Sequence, residues 1–171
     1  GAGCNPDFIK EETGYIHGKD MFNFAIPGIM GDGLKMAWEA GADKLPVRIE
    51  QAASVVGVED LPGSVSNIFS QPNLLVNKFG KRFMNEDHMQ NTTYLSNAVS
   101  HQKERSGFSI VDSSIVRYYI KNGVDNVSLV RPDPDVSDFI EGVKMAQENG
   151  NTGLVVADTI EELAELIQAD E

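Results

Sequence analysis

The sequence contains little cysteine, a minority of basic residues and no long apolar run. Cys4 is the single cysteine, which excludes an internal disulfide. Only 14 residues are lysine or arginine, against 26 aspartates and glutamates, and the resulting net charge of -12 would repel phosphate groups. No stretch reaches the roughly 18 consecutive apolar residues that a bilayer-spanning helix requires. We therefore expect neither a nucleic-acid partner nor insertion into a membrane.

Motifs for metals and dinucleotides are also missing. The three histidines, His17, His88 and His101, show no His-x-x-x-His spacing, and one cysteine cannot form a Cys-x-x-Cys pair, so no metal site is predicted. A G-x-G-x-x-G motif after a strand, followed by an acidic residue about 20 positions later, does not occur. Each histidine is more simply explained as an exposed or locally hydrogen-bonded residue.

Short helices and short strands alternate irregularly, in a composition of 41% apolar and 23% charged residues that is typical of a globular protein. This pattern favours an α+β fold, with a small mixed sheet, a β-hairpin and surrounding helices, over a doubly wound parallel sheet. The stretch from Gln51 to Gln71 is rich in serine, glycine and valine and is predicted to be a boundary or a mobile connection. Helices are predicted after Asn5, from Gly31 to Gly41, from Asn91 to Lys103, after Asp112, from about Asp135 to Gly150 and after Thr159, and strands over 45–49, 74–76, 82–84, 108–111, 127–130 and 154–156.

The segment from Asn73 to Glu86 gives the clearest hairpin signal. Leu74–Val76 is an apolar run, and a basic five-residue turn separates it from a second short run, Arg82–Met84. The segment therefore predicts a β-hairpin. Gly80 provides the freedom at positive φ that such a turn needs. The dipeptide Asn85-Glu86 follows directly after the second predicted strand.

Three stretches resemble segments of one protein family. The hairpin contains Val-Asn, then Gly-Lys-Arg-Phe, then Asn-Glu; Gly31–Ala42 begins with Gly-Asp-Gly-Leu and ends in Ala-Gly-Ala; and the third stretch is the opening Gly1–Pro6. In this order and at this spacing they are similar to flavoproteins of the fumarate reductase/succinate dehydrogenase type (FAD-binding type 2), a group that includes ketosteroid dehydrogenases and urocanate reductases. The resemblance covers roughly the first half of the chain.

The resemblance implies an internal fragment of an FAD-dependent oxidoreductase, in which hydride passes between the flavin and a C–C bond of a small polar substrate. Residues 1–53 would be the end of the flavin-binding domain, and residues 54–171 most of the capping domain that closes over flavin and substrate. Asp32, with Gly31 and Gly33, would lie against the flavin. The implied partners are the remainder of the same chain, a small-molecule substrate and an electron-transfer partner, in a soluble bacterial protein of the cytoplasm or one that is exported. The isolated fragment is expected to hold no FAD and to be inactive.

Three places depart from the fumarate-reducing members of that family. Where these members carry Gln-x-His-Pro-Thr, residues 51–54 read Gln-Ala-Ala-Ser, and the following stretch, 55–72, contains no threonine for their Thr-Glu pair. Where they carry a proton-donating arginine, residues 88–91 read His-Met-Gln-Asn. Because an amide does not titrate, His88 is the candidate for acid–base work at this place. The departures indicate a substrate other than fumarate or succinate.

Alternatives remain open on the sequence alone. Asp32 suits an N-cap between two glycines as well as a position against a flavin. Glu86 forms either a fixed ion pair with Arg82 or a catalytic side chain that faces the cleft. The chain as a whole could be a non-catalytic α+β binding module; the three departures favour this alternative, and the intact Gly-Asp-Gly opposes it. A steroid dehydrogenase of the same family would need a more apolar cleft than residues 88–91 suggest.

Overall fold

Helices make up most of the regular structure in this computed structural model, which describes residues 2–21, 26–47, 52–53, 55, 61–127 and 132–168. The chain divides into two units, Gly1–Glu50 and Gln51–Glu171. No helix in these described ranges is long and apolar enough to cross a bilayer. The functional identities given above to residues 1–53 and 54–171 stay predictions.

In its described residues the first unit contains two helices of eight residues, α1 (Pro6–Thr13) and α2 (Asp32–Glu39). Asn5 caps α1, because its side-chain oxygen accepts a hydrogen bond from the Phe8 N–H at 3.0 Å. The buried Phe8 ring stacks on Trp38 of α2, with the ring centroids 5.9 Å apart. Both predicted helices are confirmed.

The second unit contains five helices and two strands within its described residues. They are α3 (Gly63–Phe69), β1 (Leu74–Val76), α4 (Thr92–Ser100), β2 (Phe108–Ile110), α5 (Ser113–Asn122), α6 (Phe139–Glu148) and α7 (Ile160–Leu166), with 3₁₀ turns at Glu86–His88 and Lys103–Arg105. Side-chain oxygens of Asn91, Asp112 and Thr159 accept first-turn N–H groups and so begin α4, α5 and α7. The predicted α+β class is confirmed.

Helix α3 lies at the centre of the core of the second unit. Its Val65 and Ile68 are fully buried among apolar side chains that include residues of α5 and α6. Helix α6 approaches closely because Gly142 has no side chain: a Cβ atom there would lie 2.8 Å from a Val65 methyl group. The prediction of a boundary or mobile connection is therefore wrong for residues 63–71, whereas residues 51, 54 and 56–60 of the same stretch lie outside the described residues. Two of the serines that suggest a loop, Ser64 and Ser66, are instead buried in this helix.

A buried amide holds the end of α3. Gln71 is fully buried, and its Nε2 donates to the carbonyls of Asn67 and Asn126, each at 2.9 Å. Its Oε1 accepts the Asn126 N–H at 3.0 Å. The polar groups of this side chain are thus paired inside the core, as buried amides require.

The sheet is antiparallel, and the predicted hairpin is much shorter than expected. Strands β1 and β2 pair with each other, whereas the predicted second strand of the hairpin, 82–84, contributes one isolated bridge between Val76 and Arg82. The turn itself closes, since the Asn77 N–H donates to the Lys81 carbonyl at 3.0 Å. After Arg82 the chain bends into the 3₁₀ turn at 86–88, and Val76 of β1 pairs both with Arg82 and with Phe108 of β2. Within the described residues, the prediction of a mixed sheet is therefore wrong, and the predicted hairpin is present only as a closed turn with one antiparallel bridge.

Other predicted strands also differ from the structure. Residues 45–47, 127 and 154–156 have irregular conformations, and the rest of the predicted strands 45–49 and 127–130 lies outside the described residues. Helix α6 begins at Phe139 and not near Asp135. The reason is local, because the Asp135 side chain accepts the Ser137 N–H at 2.9 Å and so stabilises a turn before the helix.

Candidate functional site

Glu86 is a buried carboxylate whose hydrogen bonds fix the turn after β1. Its side chain is 7% exposed and accepts hydrogen bonds from Arg82, including Nε at 3.1 Å, and from the Leu75 N–H at 3.1 Å. The hydrogen bonds from Arg82, more than the one from Leu75, lower the pKa of Glu86 to about 2. The ion pair that the sequence left as one alternative is confirmed. The Glu86 carboxylate thus joins the Leu75 backbone to the Arg82 side chain and fixes the turn between them.

His88 lies on the surface, two residues after Glu86. It ends the 3₁₀ turn at 86–88, which begins where the Asn85 side chain accepts the Asp87 N–H at 3.2 Å. Its ring meets the Tyr94 ring at a centroid distance of 5.3 Å and an interplanar angle of 58°. Backbone hydrogen bonds and an aromatic neighbour thus hold His88 in place while its ring stays exposed to a ligand.

The three residues that follow His88 have structural roles. Met89 is buried, and the Gln90 side chain donates to the Asn126 side chain at 2.6 Å. Asn91 caps α4, since its side-chain oxygen accepts the Tyr94 N–H at 3.0 Å. Of residues 88–91, His88 carries an imidazole, and its ring makes none of these anchoring hydrogen bonds.

An open groove of about 330 Å³ runs beside α4. It is lined by Phe83, Met84, Tyr94, Asn97, Ala98, His101 and Gln102. Sequence reasoning missed Tyr94 and His101 as site residues. The signal was present, because positions 94, 97, 98 and 101 recur at the spacing that places side chains on one face of a helix.

The Gly-Asp-Gly segment begins α2 in the first unit. Gly31, not Asp32, is the N-cap: it has a φ of +92° and its carbonyl accepts the Leu34 and Lys35 N–H groups. The N-cap alternative for Asp32 is therefore wrong, and its exposed side chain has no hydrogen-bond partner among the described residues. A Cβ atom on Gly31 would lie 2.9 Å from the Ala2 Cβ, whereas nothing lies within 4 Å of a Cβ on Gly33.

These residues fit part of a flavin cofactor. The exposed Asp32 carboxylate can accept hydrogen bonds from hydroxyl or N–H donors, which the ribityl chain and ring edge of FAD carry. It would repel the phosphates, so this helix start is no phosphate cradle. In the described parts of the chain, no group of three or more His, Cys, Asp or Glu side chains is placed to hold a metal ion.

Comparison with known proteins finds a distant similarity to one reductase. The chain is 27% identical to a vinyl phenol reductase of Lactiplantibacillus plantarum over 127 residues, which cover 70% of this chain and 25% of that protein. The chain thus spans about a quarter of the length of this curated relative. No family model and no solved structure matches the sequence.

Proposed function

We propose that this chain is part of an FAD-dependent oxidoreductase of the fumarate reductase/succinate dehydrogenase type. The reaction would transfer hydride to or from a C–C bond of a small substrate other than fumarate. Support comes from the family motifs at 31–42 and 73–86 and from the similarity to a protein named as a reductase of vinyl phenol, whose vinyl group is a C–C double bond. In this proposal the first unit is the end of the flavin-binding domain, and the second is most of the capping domain.

The start of α2 carries the proposal. The fold itself requires Gly31, since its positive φ and its closeness to Ala2 leave no room for a side chain. No such requirement applies to Gly33, which has open space around it, or to Asp32, whose carboxylate meets no donor among the described residues. An exposed, unpaired carboxylate next to a glycine can accept hydrogen bonds from a ligand that brings its own donors, as a flavin does.

The proposal gives each site residue a separate role. A bound flavin supplies the hydride chemistry. Asp32 accepts a hydrogen bond from that flavin, and a ring nitrogen of His88 holds the proton that the second carbon of the bond takes up. Glu86, as the partner of Arg82, fixes the turn on which His88 lies.

The test uses the full-length protein that contains these residues. The purified protein is examined for the visible spectrum of bound flavin, and oxidation of reduced viologen is followed with fumarate, other unsaturated acids and vinyl phenol. We expect bound flavin and turnover of a compound other than fumarate. His88→Gln should lower that turnover by about 100-fold if His88 provides acid–base catalysis.

His17→Gln makes the same change in the first unit and serves as the control once circular dichroism shows that it is folded. This check is needed because His17 is half-buried, with an Nε2 atom that is buried and has no hydrogen-bond partner among the described residues, contrary to the exposed or hydrogen-bonded histidine that was predicted. The turnover of this variant should stay within about twofold of that of the unaltered protein. A folded full-length protein without flavin would refute the proposal and leave the non-catalytic binding module. Rapid turnover of fumarate would refute the proposed substrate class, and an active His88→Gln variant would refute the role of His88.

A further inference from the structure

The groove beside α4 has an aromatic wall that the proposed chemistry does not use. Phe83, Met84 and Tyr94 line it, and Tyr94 is 51% exposed although its ring already meets His88. Aromatic rings and thioether groups make favourable contacts with a flat aromatic ligand. A volume of about 330 Å³ is enough for one substituted benzene ring.

His101 gives this groove a hydrogen-bond acceptor. Its Nδ1 lies 2.7 Å from the Asn97 carbonyl oxygen, and because a carbonyl can only accept, Nδ1 carries the proton. In the neutral ring Nε2 is then an acceptor. Nε2 has no hydrogen-bond partner among the described residues, so a ligand hydroxyl can bind there.

The side-chain amide of Gln102, another polar residue of the groove, already has hydrogen-bond partners within the chain. Its Oε1 accepts from the Asn77 side chain at 3.1 Å, and its Nε2 donates to the Ala98 carbonyl at 3.0 Å. The amide is therefore fixed and offers a ligand less than the free nitrogen of His101 does.

We infer that this groove binds a neutral aromatic compound with a hydroxyl group, that is a phenol, whose O–H donates to Nε2 of His101. A carboxylate would need the protonated ring instead and would meet a chain of net charge -12. This inference adds a substrate class to the proposed function, and a role of the groove in catalysis rests on that function. The binding itself requires no flavin, so it is testable on the 171-residue chain.

The three histidines make the test site-specific. The chain is labelled with ¹³C at histidine Cε1 and titrated with phenol and, separately, with anisole, which has the same ring but no hydroxyl hydrogen. We expect phenol to shift the resonances of His101 and His88 and to leave that of His17 unchanged. Because one hydrogen bond is worth about 1 kcal/mol, phenol should bind about fivefold more tightly than anisole.

Two variants separate the two parts of the proposed site. His101→Phe keeps a ring and removes the hydrogen-bond acceptor. Phenol and anisole should then bind with about equal affinity, which the His88 resonance reports. Tyr94→Ala removes the aromatic wall, so both ligands should bind more weakly while the fivefold preference, reported by His101, remains. Circular dichroism establishes that each variant is folded.

Equal affinity for phenol and anisole in the unaltered chain would overturn the inference, as would shifts that include His17 to the same extent. Benzoate binding more tightly than phenol would also overturn it. The proposed function fails on a different result, namely the absence of flavin from the full-length protein. A phenol site in a protein without flavin would thus support the groove and refute the enzyme.

Discussion

Asp32 in the first unit and Glu86 in the second are both acidic residues that the same family resemblance singles out, yet the fold places them in opposite environments. Glu86 is 6% exposed and accepts hydrogen bonds from a guanidinium group and a backbone N–H. Asp32 is exposed at the start of α2 and has no side-chain hydrogen bond within the described residues. When the side-chain hydrogen bonds of a motif residue are all made within its own unit, the fold explains that residue. When the side chain has no such partners, its hydrogen-bonding groups are available to a ligand.

Replacing Glu86 tests the first half of this comparison and should give the largest effect. Glu86→Gln removes the charge and leaves Arg82 without its carboxylate partner. Since hydrogen bonds to charged groups contribute about 1.5–3 kcal/mol, we expect the free energy of unfolding to fall by about 2–3 kcal/mol. Urea unfolding followed by circular dichroism measures this change.

The matched control is Glu104→Gln, which breaks an exposed ion pair in the same unit, with Lys78. The Glu104 side chain is 59% exposed, so its loss should cost less than about 1 kcal/mol. If both variants lost the same stability, the burial of Glu86 would have no special importance.

The pH dependence of stability isolates the charge of Glu86. Because Arg82 lowers its pKa in the folded chain from 4.5 to about 2, the contribution of this charge is complete above pH 4.5 and declines as the pH falls toward 2. The difference in stability between the unaltered chain and Glu86→Gln should thus be constant from pH 7 to 5 and shrink below that. A difference that persists unchanged at pH 3 would show that packing, and not charge, is responsible.

The sequence predicts the local features around these residues better than the long-range ones. The caps at Asn5, Asp112 and Thr159 depend on side chains and N–H groups three or fewer residues apart, and the sequence displays such short spacings directly. The pairing of β1 with β2, some 34 residues later, depends on how the intervening chain folds. The local hairpin is limited to one bridge, between Val76 and Arg82, and the chain then enters the 3₁₀ turn at 86–88.

Burial was hard to predict for the same reason. The stretch at 63–71 has the composition of a loop, and its burial follows from the close approach of α6 at Gly142, which no local pattern indicates. The groove was partly predictable, since Tyr94 and His101 are seven positions apart on one helical face. The sequence does not show that Phe83 and Met84 lie opposite them.

Gly31 and Gly33 sharpen the comparison within the first unit. Gly31→Ala places a side chain at a φ of +92° and 2.9 Å from the Ala2 Cβ, so we expect a loss of about 1–2 kcal/mol. In contrast, Gly33→Ala meets open space and should be neutral or stabilise the helix by about 0.5 kcal/mol. Trp38 is the single tryptophan, so its fluorescence during urea unfolding reports on α2. Equal losses in the two variants would mean that Gly33, too, is required by the fold.

Asp32→Asn should have the smallest effect on stability and tests the second half of the comparison. The variant keeps the shape of the side chain and removes a charge near the start of α2, where an acidic residue is worth about 0.5 kcal/mol. Trp38 fluorescence should thus give a free energy of unfolding within about 0.5 kcal/mol of the unaltered value. In the full-length protein the same change should weaken flavin binding by about tenfold, because a charge-assisted hydrogen bond is lost.

Asp7→Asn is the appropriate control for that last measurement, since Asp7 lies in the first turn of α1 and is also exposed. It should match Asp32→Asn in stability and leave flavin binding unchanged. A loss of more than about 1 kcal/mol in Asp32→Asn alone would place Asp32 with Glu86, as a residue explained by the fold. Unchanged flavin binding would remove Asp32 from the cofactor site, and the open space beside Gly33 would then need a different ligand.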